Sequence, residues 1–300
     1  MSLDLTFRPI RLEDKPRILA FTTYTWGEEN EDYIPFVFDT WLDDPKGEFT
    51  AAVLNDEVVG IAKLTDLGAG EWWLEGLRVD PAHRRKGIAQ AFNRYHVDRV
   101  RQRGGGVIRY MTGGENIGSQ TIGARAGFQH ILTFAAHLAE ATHEFDVPAA
   151  LTLDDVPALM AWLDSPLMRY QHGAYRNGWT VRTLNEQAIT HAVEAQRVVG
   201  LKDRGGRVSA WAMLREDNED NEDDAHEKRL RVDHLDGKPA AIVELARAMR
   251  SSAVGQPRSS VSAGISDYPP LVDAISQAGY QLNPDNFRLW VLELKLQPTP

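Results

Sequence analysis

A basic, glycine-containing segment ahead of a long helical pattern carries the clearest chemical signal in this sequence. The segment follows a strand-like run that ends at Val79, and Pro81 separates the two. It combines positive charge, close backbone approach and unpaired helix amides, which together suit a phosphate group. The residues predicted to form this phosphate loop are Arg84, Arg85, Lys86, Gly87, Ile88 and Ala89. The alternative interpretation is a basic helix start without a ligand.

A carboxylate on the preceding strand is the candidate general base. Trp73, Glu75, Leu77 and Val79 alternate along residues 71–79, so they are predicted to share one face of a strand. Chemistry on an amine needs a base, because an alkylammonium has a pKa of about 10.4 and its deprotonation at pH 7 costs about 4.6 kcal/mol. Glu75 is the predicted base. The alternative is a solvated or ion-paired carboxylate.

The elements around these residues predict a mixed α/β fold. In chain order they are a helix over 9–20, hairpin strands over 49–54 and 58–64, a strand over 71–79, a long helix over 87–102, a strand over 107–112 and a short helix over 119–126. Gly127 stands where a helix C-terminus favours glycine. This order places the phosphate loop between a strand and the long helix.

Residues 5–140 resemble the GNAT N-acetyltransferases, whose acyl-CoA pyrophosphate loop has the pattern Q/R-x-x-G-x-G/A. Arg84-x-x-Gly87-x-Ala89 matches that pattern, and Asn116-x-x-Ser119, followed by Ala-Gly-Phe at 126–128, is similar to the family's second cofactor-contacting helix. The resemblance implies a splayed pair of parallel strands that holds pantetheine, with acetyl-CoA as co-substrate and no metal. The further cofactor contacts that it implies are Leu77, Arg78, Val79, Asn116 and Ser119.

One position departs from the family pattern. In the family, the helix that corresponds to the one after Asn116 often carries a tyrosine that acts as general acid. This sequence has Gly123 at that position. The hydroxyl could come from Ser119 or Tyr110, or the thiolate could leave without assistance. The departure is also compatible with weak activity or a different acceptor.

The stretch at residues 22–32 mixes aromatic rings with carboxylates. In the family the corresponding region contributes to the acceptor site, and such a mixture suits a cationic amine. The alternative is a connection between helices with one packed tryptophan.

Two short sequence matches indicate an internal duplication. Leu-Arg-Val-Asp at 77–80 recurs at 230–233, and Ala-Gly-Phe-Gln at 126–129 recurs as Ala-Gly-Tyr-Gln at 278–281. The offsets are 153 and 152, and the order is the same, so we expect two copies of one domain.

The duplication predicts two tandem GNAT-like domains, residues 1–145 with the catalytic site and residues 146–300. At offset 153, Gly87 falls on Ala240 and Arg84 on Gly237, so the second copy lacks the phosphate loop. It is therefore expected to be degenerate; the alternative is a loop that binds phosphate through another sequence.

An acidic run follows in the second half. Seven of the nine residues from Glu216 to Asp224 are acidic, which favours a solvated loop. The functional alternative is a segment that attracts a cationic substrate or a divalent ion.

Composition excludes several classes of protein. The net charge of −10 and the pI near 5.4 argue against binding to nucleic acid through phosphates. With no cysteine, the chain has no disulfide and no thiolate zinc site. No apolar run reaches the length of a membrane span, and the N-terminus lacks a signal-peptide core, so we expect a cytoplasmic protein. It could be a monomer or a homodimer.

These observations together predict an acyltransferase that moves an acetyl group from acetyl-CoA to the amine of a small substrate by direct attack, with Glu75 as base. The alternative is a catalytically weak or inactive protein that binds or senses acyl-CoA. Acetylation of protein lysine is a further alternative, which requires an open peptide groove. The residues do not distinguish among small amines.

Overall fold

The computed structural model describes residues 4–23, 25, 32–215, 229–254, 260–284 and 288–297. The strands are β1 Leu5–Pro9, β2 Glu48–Leu54, β3 Glu57–Gly68, β4 Glu71–Val79, β5 Gly106–Gly113, β6 Gln129–Glu140, β7 Ala149–Ala150, β8 Ala174–Asn177, β9 Thr180–Thr183, β10 Val198–Lys202, β11 Val208–Leu214, β12 Arg229–Gly237, β13 Ser260–Ser266, β14 Gln281–Leu282 and β15 Arg288–Leu296. The helices are α1 Lys15–Thr22, α2 Ile34–Leu42, α3 Ile88–Gln102, α4 Ile117–Arg125, α5 Val156–Met160, α6 Pro166–Tyr170, α7 Glu186–Glu194, α8 Pro239–Ser252 and α9 Pro269–Gln277. The predicted mixed α/β fold is confirmed.

The chain forms two compact units, and the first contains Met1–His130 and Leu292–Pro300. Its sheet runs β1-β2-β3-β4-β5 and ends with the last part of β15. Strands β1 to β4 pair antiparallel, whereas β4 and β5 are parallel. Ile61 and Ala62 are neighbours on β3, yet Ile61 packs with α1 and α2 and Ala62 packs with α3. The helices therefore cover opposite faces of this sheet.

The first element differs from the predicted helix over 9–20. Residues 5–9 form an edge strand instead, in which Leu5 and Phe7 alternate and pack against the α3 side of the sheet. Helix α1 begins only at Lys15, with Pro16 in its first turn. The period-two apolar pattern before Pro9 is the signal that identifies the strand.

The second unit contains Ile131–Val291. Its sheet runs β6-β13-β12-β11-β10-β7, with β14 beside β6, and β8 and β9 form a separate hairpin. Strands β12 and β13 are parallel, like β4 and β5 in the first unit. One core cluster lies under α8 and α9 and another under α5, α6 and α7. The unit thus repeats the order of elements in the first, with the β8–β9 hairpin and one helix added before β10.

One of the two sequence matches holds in three dimensions and the other does not. Gly127 and Gly279 each follow the helix at the corresponding place, α4 and α9, with φ of +93° and +88°. In contrast, residues 77–80 lie at the end of β4, whereas 230–233 lie in the first half of β12. The alignment of Gly87 with Ala240 is therefore wrong.

The reason is a difference in loop length. Eight residues separate Val79 from Ile88 in the first unit, but Lys238 alone separates β12 from α8. Between β12 and α8 the described chain is therefore too short to form a loop like that at residues 80–87.

The boundaries of the two compact units differ from the predicted boundary between residues 145 and 146. That prediction divides the sequence into two copies, whereas the compact units are defined by contacts in the structure. Most of β6 belongs to the second unit, where residues 134–140 pair with β13. Residues 292–296 of β15 lie beside β5 in the first unit. Each unit is thus completed by the last strand of the other half of the sequence.

Among the described residues, none of the helices has the length and apolar character that crossing a bilayer requires.

Candidate active site

An opening between β4 and β5 lies at the carboxyl ends of these parallel strands. Their backbone pairing ends at Trp73 and Arg109. Residues 74–79 and 110–113 continue as strands without pairing to each other. The loops at 80–87 and 114–116 follow these strands, so both lie at the same edge of the sheet. This arrangement matches the splayed strands that the sequence resemblance implies.

The loop at 80–87 has the backbone of an anion-binding turn. A 3-10 turn at Pro81–His83 is followed by Arg85 with φ of +61° and Gly87 with φ of +85°. Backbone turns that aim successive amides at one concavity bind anions, and left-handed residues are typical of such turns. Arg84, Arg85 and Lys86 are exposed around it.

The start of α3 leaves room and amides for a ligand. The first bond of the helix runs from the Ala91 amide to the Gly87 carbonyl, and no side chain caps this end. The amides of Ile88, Ala89 and Gln90 precede that bond. A Cβ built on Gly87 would meet no protein atom within 4 Å. Because the Ile88 side chain is buried against the sheet with Ala62 and Phe92, Ile88 can offer only its amide to a ligand.

Asp80 shapes this loop, a role that sequence reasoning missed. It accepts a hydrogen bond from the Ala82 amide at 2.8 Å and forms an ion pair with Arg17 from α1. Burial opposes its ionisation, but the amide and the guanidinium together hold its pKa below the usual value. Asp80 is therefore a fixed anion that orients the loop, and the exposed cations remain for a ligand.

A β-bulge in β4 changes the face of the sheet on which the later residues of this strand lie. Ile61 pairs with Arg78 and Lys63 with Glu75, so β4 has one extra residue here, and Gly76 has φ of +66°. Leu77 and Val79 consequently pack on the α3 side. The prediction that residues 73, 75, 77 and 79 share one face is therefore wrong for residues 77 and 79. The pattern of apolar residues in the sequence does not reveal the bulge.

Glu75 lies instead on the opposite face, beside two residues of β3. Its Oε1 accepts a hydrogen bond from the Thr65 hydroxyl at 2.7 Å, and the Trp73 side chain donates to the same carboxylate. The buried Lys63 is nearby and is paired with Asp44. Burial raises the pKa of Glu75, and these donors and Lys63 oppose the rise. Its environment therefore makes this carboxylate a better proton acceptor than an exposed glutamate.

Arg78 reaches the same face through its side chain. Its guanidinium binds both oxygens of Asp32, at 2.7 and 3.1 Å, and lies 5.0 Å from the centre of the Tyr33 ring. Arg78 and Asp32 are both buried. Any contact of Arg78 with a cofactor is therefore made by its backbone.

The residues after β5 have local structural partners. The Asn116 side chain caps α4 by accepting a hydrogen bond from the Ser119 amide at 3.0 Å. The Tyr110 hydroxyl donates to the Ser119 carbonyl at 3.1 Å. A Cβ on Gly123 would overlap that hydroxyl. Tyr110 thus fills the space beside Gly123, and burial raises its pKa to about 12.

Two of the sequence-based expectations lie wholly or partly outside the described residues. The acidic run at 216–224 is one of them, and so are Tyr24 and residues 26–31 of the predicted acceptor stretch. Within the described parts of the chain, no group of three or more His, Asp or Glu side chains is placed to hold a metal.

Comparison with known proteins agrees with this geometry. Residues 11–128 match the model of the acetyltransferase (GNAT) family. The chain is 32% identical over 93 residues to probable N-acetyltransferase 16 of Homo sapiens, which is 30% of this chain and 25% of that protein. It is 31% identical over 100 residues to histidine N-acetyltransferase of Oreochromis niloticus, which is 33% of this chain and 29% of that protein. The matched region is thus under a third of either relative.

Solved structures share the fold along the whole chain. A GCN5-related N-acetyltransferase from Sphaerobacter thermophilus has a TM-score of 0.66 at 10% identity, with 100% of this chain and 98% of that chain covered. A tandem GNAT protein from the clavulanic acid biosynthesis pathway has a TM-score of 0.55 at 13% identity, with 99% and 100% covered. Residues 11–128 thus match the GNAT acetyltransferase family, and the fold of the whole chain is similar to that of solved GNAT structures.

Proposed function

We propose that the first unit transfers the acetyl group of acetyl-CoA to the amine of a small substrate by direct attack. The observation that carries the proposal is the loop at 80–87, where left-handed backbone, open space at Gly87 and three exposed cations meet the start of α3. The names of both curated relatives, which are N-acetyltransferases, support transfer to nitrogen.

The residues around the opening have separate roles in this reaction. The loop and the α3 amides would hold the pyrophosphate of the cofactor. Backbone amides of β4 at residues 77–79 would stabilise the negative charge that develops on the thioester oxygen. Glu75 would take the proton of the ammonium, directly or through water, so that the nitrogen lone pair can attack. The thioester C–S bond then breaks, coenzyme A leaves as its thiolate, and the nitrogen passes its second proton to that thiolate or to water, which leaves the neutral amide.

Tyr110 is a poor candidate to protonate that thiolate. Its hydroxyl already donates to Ser119, and its pKa of about 12 lies about 3.5 units above that of a thiol near 8.5. Proton transfer to the thiolate would therefore be uphill by about 5 kcal/mol. We propose that the thiolate leaves without Tyr110.

The loop at 80–87 also favours a second candidate function, in which the first unit binds acyl-CoA but turns it over slowly or not at all. Binding with no amine-dependent release of thiol would support that candidate over the transferase.

A pair of glycine variants tests the loop. We expect Gly87→Glu to abolish acetyl-CoA binding in a calorimetric titration, because the new carboxylate would occupy the phosphate site. Gly68→Glu is the matched control: Gly68 also has φ of +85° and nothing within 4 Å of a Cβ, so the backbone strain is similar. Unchanged affinity in Gly87→Glu would remove the loop assignment, and equal loss in both variants would indicate a general folding defect.

A further inference from the structure

We infer that the acceptor is a cationic amine with no carboxylate next to its amino group, and that Glu75, Tyr33 and Trp41 form its subsite. The inference rests on the proposed acetyl transfer, because it concerns the acceptor side of the same site. It is carried by the charges, the aromatic surfaces and the exposure of the residues on the α2 side of β4.

The cations near Glu75 are already neutralised. Lys63 is 1% exposed and is paired with Asp44, and Arg78 is 7% exposed and is held by both oxygens of Asp32. Neither is available to bind a carboxylate of a substrate without losing its partner.

Glu75 is held differently. The donors within hydrogen-bond reach of its carboxylate, Thr65 and Trp73, are neutral, and none of the described residues forms an ion pair with it. The carboxylate without a counter-ion in this cluster is therefore Glu75, and an ammonium group would supply the missing positive charge.

Aromatic side chains of α2 and the residue before it lie beside this carboxylate. Tyr33 is 37% exposed as a residue; burial of its hydroxyl and the nearby charge on Glu75 raise the pKa of Tyr33, and the hydroxyl accepts a hydrogen bond from the Gly76 amide. Trp41 meets the Tyr33 ring edge-on at 5.9 Å. Trp41 also packs on Gly76, where a Cβ would overlap its ring. These rings present apolar and π surface next to one negative charge, which suits an alkylammonium on an apolar arm.

An amino acid would fit this subsite poorly. Its α-carboxylate lies two bonds from the amino nitrogen and would approach Glu75 when the amine does. Like charges repel at that separation, and both nearby cations are buried in ion pairs. An amine that lacks the carboxylate should therefore have a higher kcat/KM than the corresponding amino acid.

Matched pairs of acceptors test the inference on the unmodified full chain. The pairs are tyramine and tyrosine, histamine and histidine, and phenethylamine and phenylalanine, with thiol release measured at saturating acetyl-CoA. We expect kcat/KM at least tenfold higher for the amine in the pairs that are turned over. Equal or better turnover of the amino acids would overturn the subsite while leaving acetyl transfer intact. Turnover of no acceptor, with acetyl-CoA bound, would overturn both.

Two variants of the loop after α2 provide a second test. Asp44→Asn leaves Lys63 without its counter-ion, so the preference for amine over amino acid should fall at least threefold. Asp43→Asn is the control, because it removes the same charge from an exposed neighbour. An unchanged preference in a folded Asp44→Asn protein would count against the charge argument.

Trp41→Leu covers the case in which Asp44→Asn does not fold. We expect KM for the amine to rise at least fivefold while the Kd of acetyl-CoA stays within twofold. An unchanged KM would remove Trp41 from the subsite.

Discussion

Two opposing influences act on the carboxylate of Glu75. Burial raises its pKa, whereas hydrogen bonds from Thr65 and Trp73 stabilise the charged form. A base for an ammonium must be ionised at the working pH and must still accept a proton readily. The Thr65 hydrogen bond at 2.7 Å therefore helps to set the pH at which this residue can act.

Replacing Thr65 should move the pH profile in a known direction. Thr65→Val removes a bond that stabilises the carboxylate, so the pKa of Glu75 rises further. Because the base is needed in its ionised form, the acid limb of kcat/KM should shift to higher pH. A hydrogen bond to a charged group contributes about 1.5 kcal/mol, so we expect a shift of about one pH unit.

Two further variants separate this effect from a general structural one. Thr65→Ser keeps the hydroxyl and should restore the original limb, and Glu75→Gln should lower turnover and remove the limb. An identical profile for Thr65→Val and the unmodified protein would contradict the assignment of Glu75.

The sequence predicts Glu75 and the loop residues but not their partners. Thr65, Lys63 and Trp73 reach Glu75 through strand register, and that register shifts at Gly76. A bulge reverses the face of every later residue in a strand. The structural roles of Asp80 and Tyr110 were not predicted for a related reason, since they depend on contacts with α1 and α4.

At the scale of elements, the first unit depends on a strand from the end of the chain. Arg109 on β5 is 3% exposed and bridges Glu71 on β4 and Glu293 on β15, at 2.7 and 2.8 Å. This charge lies on β5, the strand that forms one side of the opening. Residues 292–296 thus neutralise a buried cation next to the candidate site.

We expect Glu293→Gln to destabilise the protein by about 3 kcal/mol, because it leaves the buried Arg109 with one carboxylate instead of two. Urea unfolding, read with saturating acetyl-CoA and without it, measures the loss. Lys295→Gln is the comparison on the same strand, because it removes only the 3.4 Å contact of the mostly exposed Lys295 with Glu293 and leaves the bridge from Glu293 to Arg109 in place. Equal stabilities of the two variants would show that the bridge is not needed.

The order of strands and helices could be predicted from local patterns, but the identity of the completing strand could not. Strands β6 and β15 are both apolar and end the two halves alike, so neither composition nor spacing tells which sheet each joins. The shortened loop before α8 was missed because a fixed offset between the copies cannot represent a deletion.

At the scale of the whole molecule, the two units keep the same order of elements but differ at the opening. In the second unit the pairing of β12 and β13 ends at Val232 and Ala263, as in the first. The Arg176 side chain occupies the space at Gly264, where a Cβ would overlap it. Asp233 is held by the Gly178 amide at 2.8 Å. Side chains of the unit itself thus occupy part of this region, and the described residues between β12 and α8 form no phosphate loop.

The difference between the units leads to a count of ligands. One unit has the open Gly87 loop, and the other has a single residue, Lys238, where that loop would be. A calorimetric titration of the full chain with acetyl-CoA measures this directly. We expect one acetyl-CoA binding site per chain. Two sites per chain, or none, would contradict it.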